Sequence, residues 1–355
     1  MLKSEYPDPA DIAFLNPAAR TGIVYDPVFL KHSRSDHPER AERFVAVLGR
    51  LKETGLNEAV RRISSRPASE EELLLNHTGS HVRRVRSASG EGEGFLDPDT
   101  YVNSFSYDAA RIAAGSLIDL TLAVVRGDLE NGFALVRPPG HHAMSDYAKG
   151  FCLFNHVALA ARAARKAGVD RIAIVDFDAH HGNGTQAAFE DDPRVLFMST
   201  HQHSLFPGTG AAAETGKSGT VVNIPLPAGA GDGCFRALFG EVILPLLVRF
   251  APEMILVSAG YDGHRADPLA GLGLTCSGQA WISETLVRSA RQICGGRIVF
   301  TLEGGYHPAA LSAGVANSLR ALLGRDDFED PIGGAPRSEP DISALIAEVK
   351  RMQRL

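Results

Sequence analysis

Cysteine is scarce in this chain and carries no pattern. Its four cysteines, Cys152, Cys234, Cys276 and Cys294, form neither a C-x-x-C pair nor a framework spacing. A disulfide-stapled fold is therefore not expected, and reduced, buried thiols in a cytoplasmic protein are. Positive charge is not in excess: the net charge is −6, which argues against a general nucleic-acid or anionic-membrane binder. No apolar run approaches the ~20 residues that span a bilayer. Residues 1–9 lack the apolar core of a signal peptide, so the sequon Asn76-His77-Thr78 is expected to stay unmodified. Gly182-x-Gly184 lacks the lysine of a phosphate loop and the third glycine of a dinucleotide fingerprint. There is no G-x-S-x-G elbow and no cysteine near an activating histidine, so covalent nucleophilic catalysis is not supported. No Pro/Ser/Gly-rich linker, charge block or repeat interrupts the 355 residues, and one domain over 1–355 is expected although the length would allow two.

What the chain does have is a regular alternation. Short apolar, β-branched runs at 22–25, 133–136, 172–175, 195–199, 221–224, 254–258 and 298–302 predict strands. Amphipathic stretches at 38–52, 107–125, 155–166, 235–249, 281–294 and 308–322 predict helices between them. Strands that are apolar throughout and separated by helices imply an α/β fold with a central parallel sheet covered on both faces. Residues 340–355 read as an amphipathic helix, suited to packing on the core or to a subunit contact.

Polar motifs follow several of these strands, where α/β proteins keep their chemistry. The run Ile174-Val175-Asp176-Phe177-Asp178-Ala179-His180-His181-Gly182-Asn183-Gly184-Thr185 ends a strand in carboxylates and imidazoles. Asp178 and His180 are two apart, so an extended chain sends both side chains to one face, a half-site for Zn²⁺ or a similar ion. Alone, the pair is equally a hydrogen-bonded cap on the next helix. A third ligand must come from another strand end, and Asp267, after Ser258-Ala259-Gly260-Tyr261-Asp262, is well placed; its plain alternative is a turn aspartate before Pro268. His141-His142, after Arg137-Pro138-Pro139-Gly140, suits general base and acid roles because free imidazole titrates near neutral pH. Asp176 and Asn183 are candidates to orient those rings. Tyr306, after Gly304-Gly305, offers a neutral donor for an oxyanion.

In this order, R-P-P-G-H-H, G-F-C-x-F-N (residues 150–155), V-D-F-D-A-H-H-G-N-G-T, S-A-G-Y-D with D-P-L, and E-G-G-Y resemble the zinc-dependent histone deacetylase superfamily, as does His37-Pro38-Glu39-Arg40. That superfamily includes bacterial deacetylase-like amidohydrolases and acetylpolyamine amidohydrolases. The resemblance covers about residues 21–323, leaving 324–355 as an extension, and implies the arginase/deacetylase fold. It implies one zinc on Asp178, His180 and Asp267. It implies His142 as general base and acid backed by Asn183, His141 backed by Asp176 to hold the water, and Tyr306 as donor to the scissile carbonyl. Gly150, Phe151, Phe206 and Gly304, with Leu274, would line an acyl-lysine tunnel, and Asp97 would be its rim aspartate. Asp176, Asp178, His180, Ser199 and Thr200 resemble an inner potassium site. Asn183 stands where class I enzymes carry aspartate, as in the class II and bacterial branch.

The implied activity is removal of acetyl or related acyl groups from lysine side chains or polyamines. The partners are then acylated peptides, proteins or small amides, with no nucleic acid or membrane; a homo-oligomer is compatible with this. A binuclear-manganese ureohydrolase on the same fold and a non-catalytic acyl-lysine binder are the rival readings. Zinc versus iron, and protein versus small-molecule substrate, stay open at this level. Glu91, Glu93, Asp97 and Asp99 put four acids into one loop. If that loop borders the tunnel, it is expected to attract cationic substrates.

Overall fold

The computed structural model describes Phe14 and residues 16–333 and 338–355; residues 1–9 lie outside the described residues. It is a single α/β domain around an eight-stranded sheet. The strands are β1 (Thr21–Val24), β2 (Arg61–Arg62), β5 (Asn131–Ala134), β6 (Ile172–Asp176), β7 (Val195–Gln202), β8 (Val221–Leu226), β9 (Met254–Ala259) and β10 (Ile298–Leu302). A separate antiparallel pair consists of β3 (Gly94–Phe95) and β4 (Tyr101–Val102). The large sheet runs β2-β1-β5-β10-β9-β6-β7-β8, parallel at every pairing. Strands such as Ile172–Asp176 and Ile298–Leu302 are buried at every position, as helices on both faces require.

The strand order reverses in the middle of the sheet. After β5 the chain crosses to β6, and β9 and β10 later fill the gap between them. Ala134, Thr301, Ser258 and Asp176 then stand in one row across β5, β10, β9 and β6. The motifs that begin at Arg137, Asp176, Gly260 and Glu303 leave the sheet just beyond that row, at the switch point where such sheets bind ligands.

Helix bounds differ from expectation where local chemistry intervenes. The stretch expected as one helix over 235–249 breaks into Asp232–Leu238, a π-helical segment Phe239–Ile243, and Leu244–Phe250. Pro245 lacks the N–H that would continue the ladder. The helix Cys276–Cys294 starts earlier than expected because the Thr275 side chain accepts from Gly278 N–H at 3.0 Å. The C-terminal helix Ser343–Gln353 packs on the core: Ile346 and Val349 are buried, and Gln353 Nε2 donates to Val221 O at 2.9 Å.

The H-P-E-R segment is a loop that the sequence read as the start of a helix; the helix runs Glu42–Glu53. Glu39 is completely buried and clamped by two arginines. Arg137 reaches both of its oxygens, at 2.5 and 2.7 Å, and Arg43 Nη1 donates at 2.8 Å. Burial raises the carboxyl pKa, but Arg137 and then Arg43 outweigh it and hold Glu39 well below the usual range. Glu39→Gln leaves two buried guanidinium groups without their counter-charge, and a loss of about 3–5 kcal/mol in a denaturant titration is expected.

Candidate active site

Side chains from four strand ends converge on a cavity of about 200 Å³. His141 and His142 follow β5, Asp178 and His180 follow β6, and Gly304 and Tyr306 follow β10; all six line it. Asp262 follows β9, is fully buried and adjoins His180. Among the described residues, Asp178, His180 and Asp262 offer ligand atoms that all lie within 4.8 Å of one another. His180 Nδ1 sits 2.9 Å from Asp262 Oδ2 and 3.1 Å from Asp178 Oδ1. Two carboxylates and an imidazole, at this spacing and nearly or wholly buried, fit a divalent ion. The backbone has been cleared for them: a Cβ on Gly304 would meet Asp262 Oδ2 at 2.3 Å and Asp178 Oδ2 at 2.6 Å. Gly304 N–H instead donates to Asp178 Oδ2 at 2.8 Å.

Asp267, expected as the third ligand, stands outside this group. Its Oδ2 accepts from Tyr306 N–H at 2.6 Å and His307 N–H at 3.2 Å, and its Oδ1 from Leu269 N–H at 3.0 Å. Asp267 ties down the backbone around Tyr306. Burial, then the nearby Asp262, raises its carboxyl to about 7.

The two histidines are differently partnered, as expected. His141 Nδ1 meets Asp176 Oδ2 at 2.9 Å, and His142 Nδ1 meets Asn183 Oδ1 at 2.8 Å, with ring centroids 4.0 Å apart. Burial pulls the His141 imidazolium down, but Asp176, Asp178 and Glu303 overcome it and push the group to about 10. Burial and the charges of His141 and His180 drive His142 well below its usual value. Asn183 Nδ2 donates to His142 O, so its Oδ1 faces the ring and takes the Nδ1 proton. The unprotonated Nε2 is left for the cavity.

Sequence reasoning missed the group behind His141. Glu303 Oε2 accepts from Gly140 N–H at 2.7 Å and His141 N–H at 3.2 Å, while Oε1 takes the Ser258 hydroxyl at 3.0 Å. Arg43 donates to Glu303 O at 2.7 Å and Gly305 O at 2.6 Å, and its guanidinium lies 4.9 Å from the Tyr306 ring centroid.

Gly150, Phe151 and Phe206 line the cavity walls. Gly150 and Phe151 both have positive φ, +56 and 68. A Cβ on Gly150 would come within 2.5 Å of His142 Cδ2, so only glycine fits there. Thr100 Oγ1 takes the Phe151 N–H at 3.0 Å and holds that turn. Leu274, expected on the wall, and Asp97, expected at the rim, are not among the residues that line the cavity. Leu274 is fully buried and off the cavity; Leu205 and Leu269 line it instead. The acid on the wall is Asp99, not Asp97. Asp97 Oδ1 is used within its own turn, accepting from Asp99 N–H at 3.1 Å and Thr100 N–H at 2.7 Å. Ser199 pairs with Asp176 across β6 and β7, and Thr200 Oγ1 donates to Asp176 O at 3.4 Å, so three of the five residues expected to hold potassium adjoin one another.

Residues 37–322 match the family model described as "Histone deacetylase domain". The chain belongs to the histone deacetylase family. Its deacetylase relatives include "Histone deacetylase 14, chloroplastic" of Arabidopsis thaliana, 41% identical over 327 residues that span 85% of this chain and 77% of that one. A "Probable deacetylase" of Archaeoglobus fulgidus is 45% identical over 292 residues, 81% of each chain. The crystal structure of the HDA15 HD domain superimposes with a TM-score of 0.86 at 37% identity, covering 94% of both chains. Histone deacetylases are generally metal-dependent hydrolases, and the Asp178, His180 and Asp262 group suits that chemistry.

Proposed function

We propose that this deacetylase-family chain is a zinc-dependent amidohydrolase that removes acetyl or related acyl groups from lysine side chains or polyamines. The observation that carries the reading is the pair of histidines, one partnered by Asp176 and the other by Asn183, that lines one cavity with Tyr306 beside the Asp178, His180 and Asp262 group. A divalent ion on those three ligands would supply Lewis acidity to the acyl carbonyl and to the attacking water. His142, neutral at Nε2, accepts a proton from the water and later returns it to the leaving amine nitrogen. His141, held charged by Asp176, orients the water. The Tyr306 hydroxyl donates to the carbonyl oxygen as charge builds there. Phe151 and Phe206 shield the acyl chain from solvent. Zinc rather than iron, and a potassium ion on Asp176, Asp178, His180, Ser199 and Thr200, belong to the same proposal. So does a cytoplasmic location, supported by four buried, unpaired thiols.

Rates across a panel of acetyl-lysine peptides, acetylated polyamines and longer acyl-lysines test this reading. Acid release from at least one class is expected, and silence toward all of them by metal-loaded protein would overturn it.

Asn183 holds the Nδ1 side of the base. Asn183→Asp places a carboxylate at the Nδ1 proton and raises the His142 pKa. The base must be neutral to act, so the acidic limb of the kcat/KM profile is expected to move to higher pH. An unmoved limb would separate Asn183 from the catalytic histidine.

A further inference from the structure

The rim of the cavity carries one cation whose charge is unmatched. Lys149 precedes the Gly150-Phe151 wall, is partly exposed, and is not among the residues lining the cavity. Its ammonium lies 5.2 Å from the centroid of the Phe206 ring, whose edge meets His142 with ring centroids 5.0 Å apart. Lys149 therefore stands just outside the aromatic wall. Among the described residues it has no carboxylate within ion-pair distance, unlike Arg34 beside Asp36, Arg66 beside Glu72 and Asp119, or Lys217 beside Asp191. The acids of the facing loop are already engaged. Asp97 caps its own turn, and Asp99 accepts from the Thr100 hydroxyl at 3.2 Å and from Gly150 N–H. Glu91 takes the Ser87 hydroxyl at 3.0 Å, and Glu93 acts on the charge of Arg34. The hydrogen bonds of these acids thus go to their own backbone and neighbours, and none goes to Lys149.

Resting on the deacylase reading above, we propose that Lys149 is a specificity-determining residue of the tunnel rim. It favours acyl-lysine peptides with an acidic residue next to the modified lysine and disfavours polycationic substrates such as acylated polyamines. An acyl-lysine seated between Phe151 and Phe206 leaves its flanking residues over the rim, within reach of a flexible ammonium that rests on Phe206 and holds no carboxylate. A half-exposed pair of this kind is modest and salt-sensitive, so a preference of roughly threefold is expected for an acidic over a neutral flank.

Three acetyl-lysine peptides differing only in an acidic, neutral or basic flanking residue test this, with an acetylated polyamine alongside. kcat/KM is measured at low and high ionic strength for wild type, Lys149→Gln and Lys149→Glu, each as a ratio to the neutral peptide. The acidic-flank preference should vanish in Lys149→Gln, and Lys149→Glu should invert it and improve the polyamine. Identical flank ratios in all three proteins would overturn the proposal. Kd values for the same peptides on the Tyr306→Phe enzyme and its two Lys149 variants read the same ratios without turnover. Flank-independent Kd values would sink the role of Lys149, whereas lack of turnover by wild type would sink only the deacylase reading.

Discussion

Asp262→Ala is expected to abolish metal binding and turnover together, because two remaining ligands do not hold a catalytic zinc. Asp267→Ala is expected to behave differently. Its carboxylate receives the N–H groups of Leu269, Tyr306 and His307 and stands apart from the ligand group. That variant should keep its metal and lose rate, since Tyr306 loses the anchor of its backbone. Elemental analysis and kcat on both variants separate the two roles. Full metal in Asp262→Ala, or none in Asp267→Ala, would return the third ligand to the position read from sequence.

Tyr306→Phe is expected to lower kcat by about 10²–10³ with little change in KM, the usual effect of deleting one oxyanion donor. The phenol is well suited to that task. Burial drives its pKa well above the usual value, with Arg43 acting in the opposite direction, so it stays protonated across the working range. No loss of rate on the alkaline side should therefore trace to Tyr306. An unchanged kcat in Tyr306→Phe would leave the ring as packing against Phe151 alone, at 5.9 Å between centroids.

Much of this was legible in the chain because strand ends and motifs coincide. Runs such as 172–175 and 298–302 are apolar throughout, and the polar residues that follow them emerge at the carboxyl ends of buried interior strands. Asp176 and Asn183 could be named as partners of the histidines for the same reason, while the family resemblance implied which of them backs His141 and which His142. The third ligand could not be chosen by sequence, because both Asp262 and Asp267 follow β9. What brings Asp262 beside His180 is the row that pairs Ser258 with Asp176. Asp262 lies as far beyond Ser258 as His180 lies beyond Asp176, and Asp267 comes only after a further turn. That equal offset was the available signal, and reading it required knowing that β9 and β6 are neighbours. Asp97 and Asp99 posed the same difficulty within one tight turn: the first hydrogen-bonds its own backbone and the second faces the cavity. Leu274 and Leu269 were exchanged because the loop after Asp262 has no periodicity from which to read a side chain's direction. Glu303 and Arg43 carried no local signal, since their partners lie across the fold.

The most direct test strips the wild-type protein with a chelator, restores zinc in measured amounts, and follows acetate release from an acetyl-lysine peptide or acetylated polyamine. Stripped protein should be inactive, and activity should rise in proportion to zinc up to one ion per chain and then level. Acetate release by metal-free protein, or a plateau reached only at two ions per chain, would contradict a single metal on Asp178, His180 and Asp262.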